Sequence, residues 1–311
     1  MLAVVVTAVT AATLVIWSAA TPSPLPPPSS DRPPPRSTPV APPEPLERLA
    51  EPTTPPSGTE PAPAPAPAPA RELVAAAEGV ANPGMTFGVA VLDVDTGDLV
   101  VGRGGTRQFM SASLCKLIVA VDVLDQHRAK GLSVDPTDLD LITRALSGSD
   151  DNAMSALWGR HDGAGAIGRV ATRLTLTGTA APEDTAMWGD TTTTAADMTK
   201  IYRHVLRDMA QQDSAVIVKA LVTASPVATD GFAQNYGLLH QGASADVYAK
   251  QAWVEWGPAG YLLHSAGVAY DRDTNRAYAI ALLTTQPNTP EQTARDHLSK
   301  IAAAALAPLA T

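Results

Sequence analysis

The chain has 311 residues, 45% of them hydrophobic and 17% charged, with a formal net charge of -9. That balance excludes a wholly disordered protein and fits one folded domain with non-globular additions. The acidic charge, with no basic cluster, argues against nucleic acid as a partner. The single cysteine, Cys115, rules out an internal disulfide or a thiolate metal site. The six histidines are scattered without paired spacing, so no metal site is expected.

The first element is LAVVVTAVTAATLVIWSAA over residues 2–20, an uncharged apolar run. A helix of about 20 such residues spans a bilayer. Small residues at Ser18 and Ala20 precede a signal-peptide-like cut at Thr21. Residues 1–20 are therefore expected to export the chain or anchor it to a membrane. No cysteine follows the run, so a lipid-modified cysteine is not expected. Residues 21–70 are dense in proline, which denies them helix and sheet ladders. They read as a disordered, semi-rigid stalk reaching roughly 150 Å at about 3.1 Å per residue. A Pro-rich recognition ligand would have the same composition. After an export signal, a stalk at cell-wall distance is the simpler reading.

A folded domain is expected over 71–311. RELVAAAEGVA has helical spacing; MTFGVAVLDVD reads as a strand rich in β-branched residues, and DTGD as a hairpin turn into LVVGR. Helical patterns follow at 113–127, 136–146, 152–158, 164–174, 194–209 and 213–223, with Thr194 to Asp197 as a capping sequence. Strand character returns in ADVYAKQAWVEW, YLLHSAGVAYD and RAYAIALLTTQ, and TPEQTARDHLSKIAAAAL closes the chain as an amphipathic helix. Short turns between the late strands imply antiparallel pairing. The expected architecture is α+β: one antiparallel sheet of about five strands, flanked by helices, beside a mainly helical lobe and a cleft.

One charged residue stands out in FMSASLCKLIVAVDVL. Lys116 enters an apolar helix one turn after Ser113, and a charged side chain is seldom buried unless paired or working. At i and i+3 a hydroxyl and an amine share one helical face, and a neutral amine can activate a serine. An N-cap serine beside a snorkelling lysine has the same spacing. Two further stretches follow in order: Ser149-Asp150-Asp151-Asn152 before a helix, and Lys250-Gln251-Ala252-Trp253 on the first late strand.

With these stretches the chain resembles the class A β-lactamase and penicillin-binding-protein superfamily, whose signature is S-x-x-K, S-D-N and K-T-G. Phe109, Ser113 and Lys116 match F-x-x-x-S-x-x-K. The segment from Trp188 to Thr194, WGDTTTT, is similar to the end of that family's Ω-loop, and KQAW with HSAG resembles a pair in other exported members. The resemblance covers most of Glu72–Ala307. It implies a β-lactamase/transpeptidase-like fold with no cofactor, located outside the cytoplasm. The implied substrates are β-lactams or D-Ala-D-Ala-type peptidoglycan peptides, and membrane attachment would run through residues 2–20.

By that resemblance Ser113 is the nucleophile, Lys116 its base, and Ser149 a proton relay, while Lys250 holds Ser149 and attracts a substrate carboxylate. Asp151, Asn152, Gln251 and Trp253 are the implied substrate contacts. The oxyanion donors would be the backbone N–H groups of Ser113 and Trp253. Three departures point to slow release or to a binder that has lost turnover. Asp151 stands where the family has asparagine, Gln251-Ala252 replaces Thr/Ser-Gly, and Glu183 lacks an E-x-x-L-N context and reads as a surface carboxylate. Trp158, Trp188 and Trp256 read as core or cleft-wall packing, and Cys115 as a buried small hydrophobe. His264 and Ser265 are adjacent on a strand and should face opposite sides.

Overall fold

The computed structural model describes residues 69–255 and 260–309. The expected export segment, residues 21–68 of the expected stalk, and Trp256 lie outside the described residues. In chain order the elements are α1 (Pro69–Val80), β1 (Thr86–Asp93), β2 (Leu99–Val101), β3 (Phe109–Met110), α2 (Cys115–Lys130), α3 (Pro136–Ser147), α4 (Asp151–Arg160) and α5 (Gly163–Arg173). Then come β4 (Thr192–Thr193), α6 (Ala195–Arg207), α7 (Gln211–Val222), β5 (Val247–Glu255), β6 (Gly260–Tyr270), β7 (Ala277–Pro287) and α8 (Glu291–Leu306). Helix α1 starts at Pro69, so the last two residues of the expected stalk are helical. Proline is tolerated there because the first helical N–H groups have no partner within the helix anyway.

The main sheet has the order β2-β1-β7-β6-β5, and every pairing is antiparallel. Strands from both ends of the chain thus share one sheet, as their patterning implies. The β1–β2 hairpin turns at Gly97, whose φ of +79° is open to glycine at little cost. On one face α1 and α8 pack through Leu73, Val74, Leu298 and Ile301. The other face carries α6 and the helical lobe, in a core built around Leu117, Ile118, Met198 and Ile201.

Helix α2 is the axis of that lobe. Its first ten residues, Cys115 to Leu124, are all buried, so it is apolar on every side except where Lys116 and Asp122 interrupt it. A helix hydrophobic all round belongs in a core. Strand β5 is the sheet's outer edge beside this lobe. Gly267 of β6 lets β5 come close, because a Cβ at that position would overlap the Tyr248 carbonyl oxygen. Among the described residues no helix is long and apolar enough to cross a membrane.

Candidate active site

The path into α2 is held on two sides. Strand β3 pairs with β4, and the Ser111 N–H donates to the Thr191 carbonyl at 2.6 Å. On the other side His264 reaches Met110 O at 2.9 Å through Nε2. Its Nδ1 accepts the Thr284 N–H at 3.1 Å, so the ring proton sits on Nε2 and donates to Met110. Burial lowers the His264 pKa to about 4, and the ring is therefore neutral near pH 7. Phe109 meets the same ring edge-on, with centroids 5.6 Å apart.

Between these ties the chain turns sharply. Ala112 has φ of +45° and opens a 3-10 turn, Ala112–Leu114, that carries Ser113 into α2. The α-helix thus begins two residues later than its apolar pattern suggests. A left-handed non-glycine residue costs about 1–2 kcal/mol, and such strain tends to sit where geometry is functional. Ser149 repeats the feature with φ of +52°. Asp150 then caps α4 through Asn152 N and Ala153 N at 2.9 and 3.0 Å, and is itself held by Arg144 at 2.6 Å.

These turns bring two fully buried lysines to one hydroxyl. Lys116 Nζ lies 2.9 Å from Ser113 Oγ, 3.2 Å from Ser149 Oγ and 2.7 Å from Ser149 O. It also donates to Asp151 Oδ1 at 2.6 Å. Lys250 Nζ reaches Ser149 Oγ and Gln251 O, each at 2.8 Å. Burial first, and the charge of Lys116 second, pull the Lys250 pKa well below the usual lysine value. The Tyr202 hydroxyl bridges β5 and β6, accepting from Lys250 N at 3.1 Å and donating to Ala266 O at 2.6 Å. The Lys250 N–H therefore faces β6, and strand alternation turns the Trp253 N–H outward.

Ser113, Lys116, Ser149 and Lys250 thus form one continuous polar chain, and Asp151 joins it. The other implied substrate contacts divide. Asn152 is exposed and gives its backbone N–H to the Asp150 cap. Gln251 departs from expectation: it is buried on the opposite face, its amide donating to the Gln234 and Tyr236 carbonyls. Those two carbonyls take up the amide, so Gln251 offers no side-chain donor to the cleft. Ala252 is also fully buried, against the helical core rather than on the cleft wall. Trp253 does line the cleft, stacked on Phe232 at 4.7 Å with its Nε1 3.1 Å from Asp230.

The cleft beside Ser113 has a volume of about 370 Å³. Trp188 lines it, with its ring centroid 5.0 Å from Lys116 Nζ. Asp190 and Asp230 also line it, and sequence reasoning gave neither a role. Asp190 lay within WGDTTTT; Asp230 sits in a T-D-G-F turn with no motif to mark it. Glu183 is exposed and does not line the cleft. Trp158 packs against the lobe and donates Nε1 to Thr185 O at 2.9 Å. Burial pushes the Cys115 thiol up to about 12, which leaves it unreactive near neutrality. Ser265 faces away from His264, its hydroxyl accepting the Leu238 N–H at 2.9 Å. Among the described residues no cluster of three His, Cys, Asp or Glu side chains fits a metal ion.

Comparison with known proteins gives the family and the fold. The profile of the beta-lactamase enzyme family matches residues 69–138 and 133–309. LppW of Mycobacterium tuberculosis, a protein named as a lipoprotein, is 30% identical over 215 residues, covering 68% of this chain and 67% of LppW. A class A beta-lactamase representative from Bacteroides cellulosilyticus superposes with a TM-score of 0.64 at 16% identity, covering 78% of this chain and 98% of that one. The class A beta-lactamase of Mycobacterium abscessus superposes with a TM-score of 0.57 at 14% identity, covering 78% of this chain and all of its own. The two solved structures share a fold with this chain.

Proposed function

The chain belongs to the beta-lactamase enzyme family, and from that premise we propose that it is an exported serine acyl-hydrolase acylated at Ser113. Its acyl donors are β-lactams or D-Ala-D-Ala-type peptidoglycan peptides. The observation that carries this reading is the 2.9 Å contact between Lys116 Nζ and Ser113 Oγ, continued to Ser149 and Lys250. A cell-wall binder without turnover needs a pocket but no buried base beside a hydroxyl.

In the proposed reaction Lys116 as free amine removes the Ser113 proton while Oγ bonds the substrate carbonyl carbon. The N–H groups of Ser113 and Trp253 hold the resulting oxyanion. The proton passes from Lys116 through Ser149 Oγ to the leaving nitrogen as the C–N bond breaks. Lys250, its charge disfavoured by burial, keeps Ser149 oriented. Release is slow, because Glu183 lies outside the cleft and supplies no base for the hydrolytic water.

The rest of the chain fits this role. Residues 1–20 export or anchor the protein, 21–70 act as its stalk, and 71–311 form the catalytic domain. The relative named as a lipoprotein supports an envelope location. The Cys115 thiol is buried in α2, and the anchoring proposed here runs through residues 2–20. The rival reading is a catalytically reduced cell-wall-binding protein, favoured by the Asp151 carboxylate that ties Lys116 down at 2.6 Å. Incubation with a fluorescent penicillin, followed by intact mass, separates the two. An adduct on the wild type and none on Ser113→Ala is expected; no adduct at any exposure leaves the binder.

A further inference from the structure

The charge lining the cleft does not suit the ligand that this fold suggests. β-Lactams and D-Ala-D-Ala ends both carry a carboxylate close to the acyl centre, and an enzyme that receives them needs exposed positive charge or hydroxyl donors there. Asp151, Asp190 and Asp230 line this cleft, and among its described lining residues there is no Arg, Lys or His. Lys116 and Lys250 are both 0% exposed and sit behind the surface. The charge of Lys116 is already met by Asp151 at 2.6 Å. Lys250 spends its donors on Ser149 and on the Gln251 carbonyl. Gln251 follows Lys250 where a hydroxyl donor was expected, and its side chain faces the opposite side of the sheet.

The surroundings do not reverse this. Arg295 lies over the Phe232 ring, 5.8 Å from its centroid, and pairs with Glu291 at 3.3 Å. It does not line the cleft. Among the described residues Asp230 accepts hydrogen bonds from neutral donors, Trp253 Nε1 at 3.1 Å and Phe232 N at 2.9 Å, and the cation its charge acts on is Lys250, buried behind the surface. Asp190 is exposed on the facing loop beside Trp188. The Trp188 and Trp253 rings already have Lys116 and Lys250 at 5.0 and 5.9 Å, so the attraction for a cationic group comes from the carboxylates that reach the cleft surface.

Resting on the reading of Ser113 as nucleophile, we infer that this site favours acyl donors that carry a cationic group and acylates more slowly with those whose carboxylate lies near the acyl centre. Asp190 and Asp230 are its specificity-determining residues. The reaction itself is unchanged: Ser113 Oγ bonds the acyl carbon, the bond to the leaving heteroatom breaks, and the leaving group takes the proton from Ser113. What changes is the charge of the molecule admitted.

Three p-nitrophenyl esters of matched shape test this: those of γ-trimethylammoniobutyrate, of its carbon isostere ending in a tert-butyl group, and of glutarate. Acylation of the full chain is followed by p-nitrophenol release and intact mass, and binding of each ester to Ser113→Ala by calorimetry. We expect both the acylation constant and the affinity to fall about tenfold from cation to neutral and again from neutral to anion. Each such step corresponds to about 1.4 kcal/mol of charge interaction. Asp190→Asn with Asp230→Asn should compress both rankings toward unity. A flat or reversed ranking in Ser113→Ala binding overturns the charge inference. Absent or Ser113-independent acylation overturns the nucleophile assignment instead, and the binding arm still decides the charge question.

Discussion

The two walls of the cleft are built on opposite plans. The helical wall, from α2 and the turn before α4, holds Ser113, Lys116 and Ser149 with little or no exposure and joins them through hydrogen bonds of 2.9 and 3.2 Å. Its backbone is strained at Ala112 and Ser149. The loop wall around residues 183–190 is exposed, with Met187 at 52%, and Asp184 organises it locally by accepting the Ala186 N–H at 2.9 Å. Proton transfer between a serine and an amine needs a fixed, dry setting, where electrostatic terms are strong. Choosing among ligands needs side chains that water can reach and that can change without unfolding the domain. The difference teaches that in this chain the wall that could react is fixed by packing, while the wall that could choose is left open to water.

The largest effect that would sharpen the contrast lies behind the helical wall. His264 braces Met110 three residues before Ser113, and its surroundings are uncharged: the Phe109 ring, the Met110 carbonyl and the Thr284 N–H. Burial holds its pKa near 4 in the folded chain, against 6.5 for the free side chain. Between those values the unfolded chain binds the proton and the folded one does not. The contribution is therefore complete above pH 6.5 and is lost as pH falls toward about 4. The span corresponds to ~3 kcal/mol. Calorimetric melting from pH 7 to 4 should show the wild type losing that much more stability than His264→Gln, which starts lower and has a flatter curve. Parallel curves would mean that the ring is not part of the helical wall's support.

Asp151 stands where the two walls meet, with its side chain 63% exposed while its partner Lys116 is wholly buried. Carboxylate oxygens only accept, whereas an asparagine there could accept from Lys116 and donate to a substrate carbonyl. One such donor is worth about 1–3 kcal/mol, or roughly 10- to 100-fold in rate. Asp151→Asn should raise the second-order acylation constant by that order, while Asn152→Ala, exposed and off the lysine, should leave it within about twofold. A neutral Asp151→Asn with a damaging Asn152→Ala would move the recognition role one residue along α4.

The same division governs what the sequence made legible. Apolar periods of 3.6 and 2 located the helices and strands because burial enforces them, and the i, i+3 spacing of Ser113 and Lys116 survived a start that is 3-10 rather than α. Ser149 and Lys250 were found by their order along the chain. Gln251 was misread because its amide is taken up by the Gln234 and Tyr236 carbonyls, partners distant along the chain that no local spacing announces. Asp190 and Asp230 escaped because a loop's route over a surface leaves no periodicity behind it. Residues held by packing announce themselves through pattern; residues held by a loop's path do not.

The smallest expected effect tests the loop wall directly. Class membership invites the idea that a glutamate of this loop activates the hydrolytic water, and Glu183 is the loop's glutamate. A base must come within hydrogen-bond reach of its water, itself poised on the acyl carbon. Glu183 is exposed and absent from the cleft lining, to which Asp190 belongs instead. Glu183→Gln should therefore change the deacylation rate by less than about twofold, since a surface substitution that breaks no contact usually changes little. Deacylation is read from the decay of the adduct by intact mass after excess ligand is removed. A drop of about a hundredfold or more, the usual worth of a positioned base, would show that the loop closes onto the acyl-enzyme and brings Glu183 in. The loop would then belong to the reacting machinery, and the contrast between the two walls would hold only for the empty cleft.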